Sequence, residues 1–229
     1  TLRTSPGGGV VFSSTGTTVR NIVLDPRSCT PAPVPPAVCS SGPLQTLYIT
    51  ATGRSIIGTF QSRVVRSTDG GASWASRDVG LPQPLSGTDP QSVTPVPIVM
   101  SPTDSNTLYV GTFLSLQSGG SPTLASGVFK STDAGATWVH SSTGLPRFAG
   151  STDSALDVLA LAIHPAAPNV LWATASNTAN YFVLGVPLVS YIYKSTDAGA
   201  TWVRSDSGIP PGLDLRALIV DPSNPLNVY

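Results

Sequence analysis

One short polar motif occurs three times in this chain, and its spacing constrains the fold more than any other feature. The octets are STDGGASW at 67–74, STDAGATW at 131–138 and STDAGATW at 195–202. Equivalent letters lie 64 residues apart, and the tripeptides GLP, GLP and GIP follow at the same interval. Self-similarity at a fixed period indicates a repeat architecture, in which each unit buries its apolar face against its neighbour.

A second theme recurs between the octets. Apolar runs that end in proline (NIVLDP, PIVMSP, LAIHP, LIVDP) are each followed by a strand pattern with an aromatic residue. The runs predict a first strand that is buried on both faces, at Ile22–Leu24, Ile98–Met100, Leu159–Ile163 and Leu218–Val220. A second strand carries the aromatic residue, a third runs into the octet, and a fourth begins at its tryptophan. Four-stranded sheets repeated around an axis form a β-propeller.

The octet itself predicts a hairpin turn between the third and fourth strands. Its aspartate accepts hydrogen bonds from backbone N–H groups, its glycine supplies a left-handed backbone, and its tryptophan packs between neighbouring sheets. Because the phrase occurs three times in nearly identical form, a structural role is favoured over a catalytic one. The residues concerned are Asp69, Gly71, Trp74, Asp133, Gly135, Trp138, Asp197, Gly199 and Trp202.

These octets resemble the Asp-box, or bacterial neuraminidase, repeat. The family includes sialidases, xyloglucanase-type glycoside hydrolases, sortilin-like receptors and photosystem II assembly-factor propellers. The resemblance covers three full repeats and part of a fourth, and it implies an all-β Asp-box propeller with blades near 19–80, 94–144 and 157–208 and a partial blade at 214–229. In the family the octet lies on the propeller face away from the active site.

Three blades and part of a fourth do not close a ring, so we expect a fragment of a six- or seven-bladed propeller. The segment GGGVVFSS at 7–14 is predicted to be a lone ring-closing strand. Two alternatives stay open: a chain whose remaining blades lie outside the structure, and two half-rings joined as a dimer. An open sheet edge favours pairing with another chain.

Composition excludes several classes of partner. Twelve basic residues balance twelve acidic ones and only 10% of residues are charged, which argues against a nucleic-acid surface or a polybasic membrane patch. No apolar run reaches the ~18–20 residues that a membrane span needs. His140 and His164 are isolated and no phosphate-binding loop is present, so we expect no metal and no cofactor.

The two cysteines, Cys29 and Cys39, flank the proline-rich stretch TPAPVPPAV. A pair of reduced thiols is one interpretation. A disulfide is favoured because the separation is short and no histidine lies near enough to suggest a metal; it would stabilise the fold by about 2–3 kcal/mol. A disulfide indicates an oxidising location, which predicts an extracellular, cell-surface or periplasmic protein.

Two aspartates are candidates for catalysis if the chain is a hydrolase. Asp157 and Asp214 each lie eight residues before the proline that ends their first strand, where the other units have Thr18 and Thr94. Carboxylates on adjacent blades could reach the ~6.5–9.5 Å separation of an inverting glycosidase. Alternatively, each bonds the turn that enters its strand. The chain has no glutamate to assist a sialidase-type tyrosine, and no match to the family's substrate-binding arginines.

The loop at 176–190 is apolar where the equivalent loops are polar. Its predicted binding residues are Tyr181, Phe182, Leu184, Leu188 and the adjacent Tyr191. One interpretation is a long hairpin that packs on its own blade. The other is an exposed patch that binds a protein or glycan partner, the remainder of the ring or a second copy of the chain.

The sequence thus predicts an exported, non-catalytic binding or scaffold propeller for a protein or glycan. The alternative is part of a polysaccharide-degrading glycoside hydrolase of the xyloglucanase or sialidase type. A third interpretation, an assembly factor of a membrane complex, depends on family analogy alone.

Overall fold

A computed structural model describes residues 18–29, 39, 44–54, 60–82, 91–116, 125–148, 155–177, 187–210 and 212–229. The predicted ring-closing strand at 7–14 lies outside these residues. The described part contains twelve strands and no helix. The strands are β1 Thr18–Leu24, β2 Leu47–Arg54, β3 Phe60–Ser67, β4 Ala75–Ser76, β5 Gln91–Met100, β6 Leu108–Leu116, β7 Val128–Ser131, β8 Val139–His140, β9 Leu161–Ile163, β10 Leu171–Ser176, β11 Ser190–Ser195 and β12 Val203–Arg204.

The strands form three separate four-stranded sheets, each made of four consecutive strands in chain order. Every neighbouring pair within a sheet is antiparallel. We call the sheets blade 1 (β1–β4), blade 2 (β5–β8) and blade 3 (β9–β12). This architecture confirms the predicted fold class.

The hydrophobic core lies between successive blades. Tyr48 and Val64 of blade 1 pack with Leu108, Val110 and Phe129 of blade 2. A second cluster repeats this arrangement between blades 2 and 3. Its members include Tyr109, Val128, Leu161, Leu171 and Ala173. Blade 2 therefore contributes an apolar face to a core on either side, which is why the apolar period follows the repeat.

The first strand of blade 1 differs from the expectation of burial. Ile98 in β5 is only 3% exposed, whereas Ile22 and Leu24 in β1 are 53% and 45% exposed. All three follow the same pattern relative to the proline at the end of their strand. The difference arises because no described sheet precedes blade 1 to cover these side chains, whereas blade 1 covers the face of blade 2.

A partial fourth unit follows blade 3. Leu218 is buried against Trp172 of blade 3, in one cluster with Val220 and Val228. Val220 and Val228 form an antiparallel bridge, and Ile219 and Tyr229 exchange backbone hydrogen bonds. The last residues therefore begin a further antiparallel pair on the free face of blade 3.

The predicted disulfide is confirmed. Cys29 and Cys39 are bonded, with their Cα atoms 5.8 Å apart, in the connection between β1 and β2. Close by, the Arg27 guanidinium donates to the carbonyl of Pro102 (2.6 Å) and the hydroxyl of Ser105 (3.0 Å), so the same connection is tied to blade 2. None of the residues that the structure describes forms a helix of the length and hydrophobicity that a membrane span requires.

Candidate functional site

The three octets form hairpin turns between the third and fourth strands of blades 1, 2 and 3; we call residues 67–74, 131–138 and 195–202 the Asp turns. In the second of them, Asp133 Oδ1 accepts the backbone N–H of Thr137 at 2.8 Å, and Oδ2 accepts the Thr137 hydroxyl at 2.6 Å. Asp69 and Asp197 have the same partners at equivalent positions. The aspartate thus closes the turn on itself.

A serine hydroxyl completes each turn, and sequence reasoning missed it. Ser131 donates to Asp133 at 2.7 Å and accepts the backbone N–H of Gly135 at 2.9 Å. Gly135 has a φ of +77°, and Ala134 before it is also left-handed, with a φ of 57°. The identical serine in each octet was a visible signal, because Ser beside Asp in a turn commonly bonds the backbone locally.

These hydrogen bonds lower the pKa of each turn aspartate. For Asp133 the Thr137 hydroxyl is the largest cause, followed by the Thr137 backbone N–H and the Ser131 hydroxyl, and the pKa falls to about 2. Equivalent bonds lower the pKa values of Asp69 and Asp197 to about 2 as well. All three carboxyl groups are therefore ionised acceptors at neutral pH.

We expect a loss of stability in acid from these turns. Their pKa values are lower in the folded chain than the ordinary 3.8, so their contribution to the free energy of unfolding is present above about pH 4 and is lost as the pH falls towards 2. Urea unfolding between pH 7 and pH 2 measures this. Asp133→Asn should lower stability at pH 7 and make the acid limb shallower; an unchanged acid limb would contradict the assignment.

The tryptophans of the second and third Asp turns bind the preceding blade. Trp138 Nε1 donates to the carbonyl of Arg77 in blade 1 at 2.7 Å, and Trp202 Nε1 donates to the carbonyl of Ser141 in blade 2 at 2.8 Å. Both side chains are 3% exposed. Trp74 instead donates within its own turn, to the carbonyl of Gly71 at 3.1 Å, and is only half-buried.

Tyrosines of the preceding blade also reach the second and third Asp turns. The Tyr48 hydroxyl donates to the carbonyl of Ala134 at 3.1 Å, and the Tyr109 hydroxyl donates to the carbonyl of Ala198 at 3.0 Å. Burial raises the pKa of Tyr109 to about 12, so this donor stays protonated. The contacts of the second and third Asp turns thus hold adjacent blades together.

The Asp turns do not converge on one ligand. They lie on three different sheets, and among the described residues no group of three or more His, Cys, Asp or Glu side chains could hold a metal ion. His140 Nε2 bonds the carbonyl of Ser126 at 3.0 Å, and His164 stacks on Trp172. Both histidines have local structural partners.

The two candidate catalytic aspartates lie in different surroundings. Asp157 is completely buried, and its Oδ1 accepts the backbone N–H of Leu114 in blade 2 at 2.9 Å. Its backbone exchanges hydrogen bonds with Ser176 in β10. Asp214 is exposed and forms an ion pair with Arg216 at 2.6 Å. Asp157 thus joins two blades, whereas Asp214 faces solvent.

Only part of the apolar loop falls within the described residues. Tyr181, Phe182 and Leu184 lie outside them, so their predicted binding role stays a prediction. Leu188 and Tyr191 are both half-buried, and the Arg204 guanidinium lies 4.1 Å from the centroid of the Tyr191 ring. Tyr191 therefore stacks on its own blade with at least one face.

Three consecutive four-stranded antiparallel sheets, packed face to face through a repeated core, define successive blades of a β-propeller. No protein-family model matches the chain, and no curated protein matches it. Solved structures do. The GH74 enzyme of Niastella koreensis matches 98% of this chain at 21% identity with a TM-score of 0.56. The GH74 xyloglucanase of Xanthomonas campestris matches 94% at 19% identity with a TM-score of 0.58.

An ancestral GH74 enzyme matches 93% of the chain at 17% identity with a TM-score of 0.55. The chain spans 30%, 27% and 22% of the lengths of these three structures, respectively. At such identities the likeness is one of fold. It places the whole described chain within a propeller architecture that glycoside hydrolases use.

Proposed function

We propose that this chain is part of an exported Asp-box propeller that binds a polysaccharide without cleaving it. The observation that carries the non-catalytic part is the environment of Asp157. Its carboxylate is completely buried and accepts a hydrogen bond from a backbone N–H of the neighbouring blade. The carboxylate therefore stabilises the packing of two blades. A general acid or base must reach the substrate directly or through one water molecule.

The ligand class is supported by the fold. The structures that resemble this chain are GH74 enzymes, and one is described as a xyloglucanase. A shared fold does not transfer an activity. It does make a xyloglucan-type chain the first ligand to test. Export is supported by the disulfide between Cys29 and Cys39.

The proposal is tested with the 229-residue chain in two parallel assays. We expect slower migration in a native gel that contains soluble xyloglucan, unchanged migration in a gel that contains dextran, and no release of reducing ends from xyloglucan. Equal migration in both gels would contradict glycan binding. Released reducing ends would contradict the non-catalytic part and favour the hydrolase.

A second candidate function is part of a polysaccharide-degrading hydrolase, and the GH74 likeness is the observation that favours it. Asp214, which is exposed beside Arg216, is then the better placed of the two carboxylates. Hydrolysis that Asp214→Asn abolishes, without a change in melting temperature, would establish this candidate. Asp157→Asn serves as the comparison, because this variant is expected to lower the stability of the chain whether or not the chain is a hydrolase.

A protein partner at the loop face is a further ligand class for the same scaffold. Leu188 and Tyr191 are the residues of this loop face that the structure describes. The Tyr191 ring stacks on Arg204 and is half-buried. The gel assay separates the two classes because a protein-binding scaffold would not be retarded by xyloglucan.

A further inference from the structure

The same interface between blades occurs twice in the described chain, and the two copies differ in their charged residues. We call the contact between blades 1 and 2 the first interface and the contact between blades 2 and 3 the second interface. Arg66 and Arg77 of blade 1 lie 64 residues before Lys130 and Ser141 of blade 2, at equivalent positions. The first interface therefore has two guanidinium groups where the second has one ammonium group and one hydroxyl group.

In the second interface both positions have acceptors on the third Asp turn. Lys130 Nζ donates to the carbonyl of Ala198 at 3.0 Å, and the hydroxyl of Ser141 donates to the carbonyl of Gly199 at 2.6 Å. The ammonium group also lies 5.4 Å from the centroid of the Tyr109 ring. Both side chains thus contribute to the packing of blade 3 on blade 2.

The two arginines of the first interface lie on one face of blade 1. Arg66 is directly opposite Tyr48 in the pairing of β2 with β3, and Arg77 donates its backbone N–H to the carbonyl of Val64. Tyr48 and Val64 pack in the core between blades 1 and 2, so blade 2 covers this face. Arg66 and Arg77 are diagonal neighbours on adjacent strands, a separation that long side chains span.

The guanidinium groups of these arginines have unused donors. The Nε atoms of Arg66 and Arg77 are buried and have no hydrogen-bond partner among the residues that the structure describes. Arg77 Nη1 donates to the carbonyl of Ser76 at 3.2 Å, and the Arg66 guanidinium lies 5.5 Å from the centroid of the Tyr48 ring. A buried charged donor without an acceptor is costly, so two of them on one face indicate a ligand that accepts from both.

No carboxylate within the described ranges forms an ion pair with either arginine. The second Asp turn packs on this face, since a Cβ atom on Gly135 would lie 3.6 Å from that of Arg77. However, the Asp133 carboxylate of this turn accepts from Ser131 and Thr137 within the turn itself. The first interface thus carries two guanidinium charges beside a carboxylate whose oxygens already have donors.

We propose that Arg66 and Arg77 form a binding site for a small dianionic oxyanion of the sulfate or phosphate class, beside the second Asp turn. Each guanidinium offers its Nε and one Nη as a fork, and a tetrahedral oxyanion can accept from two such forks at once. Its two negative charges match the two guanidinium charges, whereas a carboxylate has only one. Both arginines are half-buried, so solvent reaches part of each side chain.

The test is a titration of the ¹⁵N-labelled chain with sodium sulfate, compared with sodium chloride at equal ionic strength. Melting temperature is not a specific measurement here, because sulfate stabilises folded proteins in general. We expect saturable shifts of the Nε–H signals of Arg66 and Arg77 and of the Gly135 amide with sulfate, and no saturable shift with chloride. Methyl sulfate has a single charge and should bind about 10-fold more weakly or worse.

The second interface supplies the matched variant. Arg66→Lys combined with Arg77→Ser gives blade 1 the side chains that blade 2 has at these positions, so we expect the double variant to fold. It should bind sulfate about 10-fold more weakly or worse, measured at the Gly135 amide, because lysine lacks the fork and serine lacks the charge. Arg204→Lys is the control, since Arg204 pairs with Asp206 in blade 3, and it should leave binding unchanged.

Three results would overturn the proposal. The first is the absence of saturable Nε–H shifts in the unaltered chain, and the second is an equal response to chloride, which would be general screening of charge. The third is sulfate binding that the double variant retains. Equal affinity for methyl sulfate would contradict the match of two charges. The site does not involve a glycan, so this test and that of the proposed function can fail separately.

Discussion

Trp138→Ala is expected to destabilise the chain by about 3–5 kcal/mol, the range for removing a buried aromatic side chain. The indole fills the core between blades 1 and 2 and donates to the carbonyl of Arg77, so the variant loses packing and leaves an acceptor without its donor. Urea unfolding followed by circular dichroism measures the change as a shift in midpoint at constant slope.

Trp74→Ala is the matched control for this variant. Trp74 has the same place in its octet, but it is half-buried and donates within its own turn. We expect its replacement to cost about 1 kcal/mol, the centre of the distribution for point variants. Equal losses for the two variants would contradict the claim that the octet tryptophan acts by binding the preceding blade.

Gly144→Ala is expected to destabilise the chain by about 3 kcal/mol or more. Part of the loss is the left-handed backbone, which costs a residue with a Cβ about 1–2 kcal/mol. The rest comes from the new methyl group, which would lie 2.2 Å from the backbone oxygen of Trp202 and force blades 2 and 3 apart. The measurement is again the free energy of unfolding in urea.

Gly212→Ala separates the two causes. Gly212 has a φ of +82°, close to the +92° of Gly144, but no atom lies within 4 Å of its Cβ position. It should therefore show the backbone cost of about 1–2 kcal/mol alone. If Gly144→Ala and Gly212→Ala were equally destabilising, the close approach of blade 3 to Gly144 would not exist in solution.

The repeat made the fold predictable. The sequence repeats every 64 residues, and each unit has an apolar run, a strand with an aromatic residue and a turn motif. This pattern predicts a series of four-stranded sheets. The disulfide was also predictable, because two cysteines ten residues apart had no other plausible partner. These predictions depended on short-range patterns and on periodicity, both of which are visible in the letters.

The contacts between units were not predictable in the same way. Sequence alone does not say whether a turn tryptophan packs on the preceding or the following sheet, so the difference between Trp74 and Trp138 could not be foreseen. Ile22 and Leu24 read as core residues, although their exposure depends on what covers blade 1. Asp157 was predicted as a possible catalytic group. Its contact with Leu114 forms only when two blades pack together, so no single segment of the sequence indicates it.

The most direct test of this account is the environment of the indole protons, observed by NMR in the chain labelled with ¹⁵N-tryptophan. The Nε1 protons of Trp138 and Trp202 should exchange slowly and show nuclear Overhauser contacts to Arg77 and Ser141, each 61 residues earlier in the chain. The Nε1 proton of Trp74 should show contacts only within its own turn. Local contacts for all three indoles would contradict the docking of each blade on the one before it.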